Sequence, residues 1–155
     1  MRVIAGELKG RKLIRPDNDE IRPTKDRVKE AIFNSLHSYG SVVNKTFLDL
    51  FSGTGSLGIE ALSRGAEKVV FVEKQKTLSD KLKENLKRLD VYVSSHVLHA
   101  NAFSVDFDNL PYKFDILFLD PPFRENLIQR SLDFIETANI LSPKGLIYLE
   151  CEKEL

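Results

Sequence analysis

Residues 49–60, "DLFSGTGSLGIE", decide the fold. The run that leads into them, "TFLDLF" (46–51), is apolar and short, as a buried strand is. The run that leads out, "SLGIEALSRG" (56–65), has helical spacing and stops on a glycine. Between the two lie Gly53, Gly55 and Gly58, a G-x-G-x-x-G set at the joint of a strand and a helix. Glycines there allow a tight turn and let backbone N–H groups come close to a ligand. A turn that only closes helix on strand would look the same.

Outward from this unit the alternation continues. "KVVFVE" (68–73) reads as a second strand. Residues 75–89 read as a helix with Leu78, Leu82, Leu86 and Leu89 on one face. "SSHVLHA" (94–100) is a weaker third strand, "FDILFLD" (114–120) a strong fourth and "GLIYLE" (145–150) a fifth, with a helix over 125–139 between the last two. Apolar strands separated by helices predict an α/β protein: a Rossmann-like, mostly parallel sheet with helices on both faces. In such sheets ligands bind outside the carboxyl ends of the strands. Asp49, Glu73, Asn101 and Asp120 all fall at such ends.

Upstream, residues 1–15 alternate loosely around the "ELKG" turn and read as a β-hairpin. "IRPTKDRVKEAIFNSL" reads as a helix. Pro23 fixes its entry, Thr24 caps it, Asp26 sits in its first turn, and Val28, Ile32 and Leu36 line its inner face. Gly40 and Ser41 mark a break, dividing an extension over 1–40 from a core over 41–155.

The 155 residues, 42% hydrophobic and 30% charged, suit one soluble domain with a substantial core. No apolar run approaches the roughly 18–20 residues that cross a bilayer, and "MRVIAGELKGRK" lacks the apolar stretch of a secretion signal. Cys151 stands alone, which excludes an internal disulfide and a cysteine-rich zinc site. Cytoplasmic residence fits. A net charge of zero argues against a strongly basic nucleic-acid binder. Residues 1–16, however, hold Arg2, Lys9, Arg11, Lys12 and Arg15 against Glu7 alone. That patch either meets phosphates or guards a sheet edge.

The charges around the glycine loop bear on its ligand. Glu73, twenty residues after Gly53, can accept bonds from ribose hydroxyls. Asp49, four residues before Gly53, would repel a pyrophosphate but welcome an ammonium or a sulfonium. S-adenosylmethionine carries both, with a ribose besides. At the fourth strand's end "DPPF" then supplies Asp120, Pro121, Pro122 and Phe123. The Asp120 carboxylate and a carbonyl of Asp120 or Pro121 can accept the two hydrogens of an exocyclic amine and stabilise charge growing on its nitrogen. Proline's fixed φ holds those carbonyls rigidly, and Phe123 can stack on a base. His37, His96 and His99 are scattered, and the two on the third strand read as strand-edge residues.

Taken together, "DLFSGTGSLGIEALSRGA", "VEK" and "DPPF" resemble the class I S-adenosylmethionine-dependent methyltransferases, and "RVIAGELKGRKL" with "RPTKDRVKEAIFNSL" resembles the RsmD family within them. The resemblance covers essentially the whole chain. It implies methylation of the N2 amine of a guanine in the 16S RNA of the small ribosomal subunit; the transfer itself demands no metal, and a monomer is expected. It places Asp49, Phe51, Gly53, Gly55, Glu73 and Lys74 around the cofactor, with Asn101 and Ala102 beside its adenine. Arg2, Lys9, Arg11, Lys12, Arg22, Thr24 and Arg27 fall to substrate and RNA. Two departures stand out: many relatives carry Asp in place of Asn101, and they usually continue through a final pair of strands that this chain, ending at Leu155, lacks. Other readings of the same residues are an adenine-N6 nucleic-acid methyltransferase, a nicotinamide-dependent oxidoreductase and a non-catalytic RNA-binding module.

Overall fold

A computed structural model describes residues 1–17, 24–122 and 126–150. The described elements are α1 (Asp26–Ser38), β1 (Thr46–Asp49), α2 (Ser56–Ser63), β2 (Lys68–Glu73), α3 (Lys76–Arg88), β3 (Ser95–His99), β4 (Phe114–Leu119), α4 (Leu127–Ala138) and β5 (Leu141–Leu149). The strands form one sheet in the order β3-β2-β1-β4-β5, and every pairing between them is parallel.

That order follows from handedness. A right-handed crossover puts its helix on one face when the chain moves one way along the sheet, and on the other face when it reverses. From β1 the chain steps outward to β2 and β3, then returns to start β4 on the far side of β1. Side chains alternate accordingly. Phe47, Phe71, Ile116 and Phe118 join the core that packs on α1, α2 and α3, whereas Leu48, Val70, Leu117 and Leu119 join a second core with Phe107 and Ile135. The reversal between β1 and β4 opens a crevice at their carboxyl ends.

The N-terminal hairpin is present, with an antiparallel bridge from Arg2 to Lys12 and with Val3, Gly10 and Leu13 donating to the carbonyls of Arg11, Val3 and Met1. Side chains of the core anchor it further: Ile4 and Leu8 donate to the Glu60 carboxylate and Ser63 Oγ of α2, and Ile14 donates to Asn85 of α3. Three other expectations need correction. Thr24 does not cap α1; Lys25 occupies that position without a side-chain cap bond. Val28 is exposed, and the inner face of α1 is Lys29, Ile32, Phe33 and Leu36. Lys29 on that face is buried, and its Nζ donates to the Arg2 carbonyl at 2.6 Å. Finally β5 starts at Leu141, four residues early, with an irregular register opposite Phe114–Ile116. Pro143 and Gly145 break the apolar pattern there, and an edge strand tolerates both at a bulge.

Residues 1–17 and α1 share one core with the sheet: Val3, Leu13, Ile32 and Phe33 are buried in the cluster that holds Phe47 and Phe118. The Phe33 ring meets Phe118 edge-on at 5.9 Å. No helix among the described residues is long and apolar enough to cross a membrane.

Candidate functional site

The glycine loop is built as its spacing implies. Gly55 has a φ of +87°, and a Cβ added there would lie 2.2 Å from Leu82 Cδ1, so both backbone and packing demand glycine. Gly58 serves helix–sheet contact, since a Cβ on it would sit 2.2 Å from the Phe71 ring. Over Gly53 no heavy atom of the described residues, its own chain neighbours aside, lies within 4 Å of where a Cβ would project, which leaves room for a ligand beside that stretch of backbone.

Glu73, buried at the end of β2, holds this loop. Its Oε2 accepts the Gly53 N–H at 2.8 Å and its Oε1 accepts the Gln75 N–H at 3.0 Å. A carboxylate offers about four lone-pair sites, so two stay available to a ligand. Lys74 next to it is exposed, and its carbonyl accepts from His99 Nε2 at 3.0 Å.

The other acids continue the row. Asp49 ends β1, is 2% exposed and is pushed up to about 8. Burial is the largest cause, the charge of Asp120 the next, and Glu73 adds to it; the Gly58 N–H at the start of α2 pulls the other way. Asp120, half-buried just past β4, is pushed up to about 6 by burial and then by Glu150. Glu150 follows β5, where its N–H donates to the Leu119 carbonyl. So β2, β1, β4 and β5, four adjacent strands, each deliver a carboxylate to the same edge of the sheet. By the two-residue alternation, Asp49 follows Phe47 and Glu73 follows Phe71 on the face that carries α1 to α3. Among the described residues none of the four acids is in an ion pair, and no three His, Cys, Asp or Glu could together hold a metal ion. A row of acids of this kind, in which Asp49 holds its proton until a positive charge arrives, suits an organic cation.

Beside it, Asn101 is exposed and Ala102 buried in the loop after β3. Asn101 Oδ1 accepts the Phe103 N–H at 2.9 Å. The expected acceptor therefore already caps a turn, and its Nδ2 is the unengaged end. The Phe51 ring lies edge-on to Phe103 at 6.2 Å, and the Arg130 guanidinium stacks over Phe103 at 4.0 Å. Pro121 is buried and Pro122 exposed, while Phe123 lies outside the described residues.

The basic residues diverge in their engagements. Arg2 pairs with Asp26 at 3.1 Å, and Arg11 donates to the Arg88 carbonyl at 3.1 Å. Lys9 and Lys12 are exposed and make no ion pair among the described residues. Thr24 is half-buried. Arg27 is exposed and lines a cavity of about 570 Å³ with Lys25, Val28 and Tyr148; Arg22 lies outside the described residues.

Sequence reasoning missed Glu150, although it ends its strand as the other three acids do. It also missed Lys29, Glu60 and Asn85. Their signal is a polar residue on an apolar stripe: Asn85 sits between Leu82 and Leu89, and Glu60 between Ile59 and Ala61.

Residues 1–155 match the family model described as conserved hypothetical protein 95. The chain is 45% identical over 158 residues to the ribosomal RNA small subunit methyltransferase D of Haemophilus influenzae, covering 99% of this chain and 80% of that protein. It is 39% identical over 155 residues to the protein of the same name from Escherichia coli, covering 99% and 76%. The solved structure of Escherichia coli yhhF superposes with a TM-score of 0.86 at 36% identity, covering 98% of this chain and 80% of that one.

Proposed function

Because the chain belongs to the conserved hypothetical protein 95 family, we infer that it is an S-adenosylmethionine-dependent methyltransferase acting on the N2 amine of a guanine in 16S ribosomal RNA. The observation that carries this reading is the row of four unpaired carboxylates beside an open glycine loop. Such a row attracts a sulfonium and an ammonium and repels a dinucleotide's pyrophosphate, which sets the nicotinamide reading aside.

The residues fit the cofactor, which supplies an electrophilic methyl group on a positively charged sulfur. Asp49 faces that charge from the floor of the crevice. Glu73 uses its two remaining lone-pair sites for ribose hydroxyls while it keeps the Gly53 N–H in place. Phe51, Lys74 and Ala102 border the adenosine. Asn101 keeps a second lone pair on Oδ1 beside the Phe103 N–H and accepts with it from the adenine amine, while Nδ2 can donate to a ring nitrogen.

On the acceptor side, Asp120 and the carbonyl of Asp120 or Pro121 receive the two amine hydrogens. A guanine amine is a poor nucleophile, because its lone pair is delocalised into the ring. Acceptors in this position draw the nitrogen toward tetrahedral geometry and stabilise the positive charge it gains. Pro121 and Pro122 keep the acceptors still, and Phe123 stacks on the base. Alignment of nucleophile and methyl group contributes most, about 7–11 kcal/mol where such positioning is good.

We assign residues 1–40 to RNA contact and 41–155 to the cofactor-binding core. Lys9, Lys12 and Arg27, with Arg2, Arg11, Arg22 and Thr24 near them in sequence, meet phosphates while the target base leaves its stack. On this reading the protein works as a monomer in the cytoplasm. The test is transfer of tritium from methyl-labelled cofactor to unmodified 16S RNA or small subunits, followed by digestion to nucleosides. Label in N2-methylguanosine is the expected result. Label in N6-methyladenosine would replace the acceptor, and none in either would refute the reading.

A further inference from the structure

One buried side chain touches both the cofactor loop and the N-terminal extension. Asn85, 1% exposed on α3, accepts the Ile14 N–H on Oδ1 at 2.7 Å and donates from Nδ2 to the Thr54 carbonyl at 3.3 Å. Thr54, itself buried, stands between Gly53 and Gly55 at the tip of the glycine loop. Ile14 follows the basic residues of the extension. The amide orientation is fixed by chemistry, since Ile14 offers a donor and Thr54 an acceptor.

Asn85 is not the only tie between α3 and this segment. One turn before it, Lys81 Nζ pairs with Asp17 at 2.9 Å, and near the helix end the Arg88 carbonyl accepts from Arg11 at 3.1 Å. The helix thus splints residues 11–17, and Asn85 alone among these contacts also reaches the glycine loop. If the amide turned from either partner, a buried polar group would lose its hydrogen bond. What fixes Thr54 therefore fixes Asn85, and what fixes Asn85 fixes Ile14.

A glycine loop has backbone freedom to lose when a ligand settles on it. So does the N-terminal segment when it closes on RNA, since Ile14 and Asp17 are tied to α3 by side chains. Where two such segments share one buried tie, ordering by the first ligand lowers the cost of ordering for the second. We propose that Asn85 is a positioning residue that couples the glycine loop to the N-terminal segment, so that cofactor and RNA bind cooperatively. The proposal rests on the function inferred above and adds to it a coupling that neither site needs for its own chemistry.

Coupling is reciprocal, so it can be read from either side. With the full chain, the RNA Kd is measured with and without saturating S-adenosylhomocysteine. The wild type should bind RNA at least about fivefold more tightly with the cofactor product present, the lower end of ordinary coupling. Asn85→Asp keeps the acceptor for Ile14 but turns the Thr54-facing donor into an acceptor. In that variant the factor should fall below about twofold, with RNA affinity in the absence of cofactor preserved. A wild-type factor of one, or an undiminished factor in Asn85→Asp, would overturn the proposal.

A second measurement needs neither RNA nor the variant. In wild-type protein, S-adenosylhomocysteine should slow hydrogen exchange of the amides of residues 11–17, that of Ile14 above all. Unchanged exchange there, with binding verified by calorimetry, overturns the coupling. A chain that binds S-adenosylhomocysteine and protects Ile14 but binds no RNA would refute the RNA reading while leaving the tie between loop and extension in force.

Discussion

The carboxylate of Glu73 at the end of β2 holds the Gly53 N–H at 2.8 Å across the gap between two strands, so the residue assigned to the ribose also shapes the loop that receives the cofactor. The two roles separate by mutation. Glu73→Gln keeps an acceptor for Gly53 but loses the charge, whereas Glu73→Ala loses both. Hydrogen bonds to a charged group contribute about 1.5–3 kcal/mol, so Glu73→Ala should weaken S-adenosylhomocysteine binding by about 10–100-fold. Glu73→Gln should fall between it and the wild type. Calorimetric titration of the three proteins checks the order, and equal affinities for Ala and wild type would remove Glu73 from the cofactor site.

Asp49 predicts a conflict between stability and binding. Its folded value lies near 8 against an ordinary 3.8. The folded state therefore holds the proton more tightly than the unfolded chain, and stability from this residue is lost as pH rises from about 4 to 8. Asp49→Asn keeps an acceptor for Gly58 and cannot ionise. At pH 8 the variant should melt a few degrees above the wild type, as about 1–2 kcal/mol implies for a chain of this size, and the gain should shrink toward pH 5. Cofactor binding should be lost at every pH. Calorimetric melts of both proteins across that range decide it; a wild type that outlasts the variant at pH 8 would show that the carboxylate is not buried at a cost.

What the sequence revealed and what it hid follow one physical line. The sheet was legible because "FDILFLD" and "KVVFVE" are apolar on both faces and bounded by turns, a pattern that only strands buried on both sides need. Asp49, Glu73 and Asp120 were legible because a polar residue at such a strand's end has no packing role. Lys29, Glu60 and Asn85 were not, since periodicity assigns a polar residue to solvent and cannot see a partner distant in the chain. Ile4 meets Glu60 across 56 positions and Ile14 meets Asn85 across 71. The anchoring of the hairpin was hidden for the same reason: beside its own backbone bonds, Ile4, Leu8 and Ile14 donate to side chains that no local pattern points to.

The buried charges beneath the extension should weigh heavily in folding. The Glu60 side chain is fully buried, accepts the Ile4 N–H on both oxygens and lies 3.6 Å from Arg64, while burial lowers the pKa of Lys29 and the nearby Glu60 charge raises it. Removing one partner leaves the others buried and uncompensated, at about 3–5 kcal/mol. Glu60→Ala should thus lower the melting temperature by roughly 6–20 °C, at about 2–4 °C per kcal/mol. Glu60→Gln, which retains an acceptor for Ile4, should lose less. A drop under 2 °C for Glu60→Ala would mean that the network relaxes at almost no cost.

Asp120 sets the pH at which methyl transfer becomes possible. Burial and the neighbouring Glu150 push its carboxyl up to about 6, and the ionised form is by far the better acceptor for the target amine and alone offsets the positive charge it gains. Single-turnover rates with 16S RNA should therefore rise tenfold per pH unit below about 6 and level off above it. Glu150→Gln removes the second cause of the shift and should move the inflection to lower pH without changing the plateau. Asp120→Asn should lower the plateau by about 10²–10³, as loss of one transition-state acceptor or donor does, and abolish the inflection. Its affinity for S-adenosylhomocysteine should stay within about threefold of wild type, since the acid is assigned to the acceptor and not to the cofactor. An inflection that persists in Asp120→Asn would transfer the titrating role to another group and leave the carboxylate at the end of β4 with no part in the chemistry.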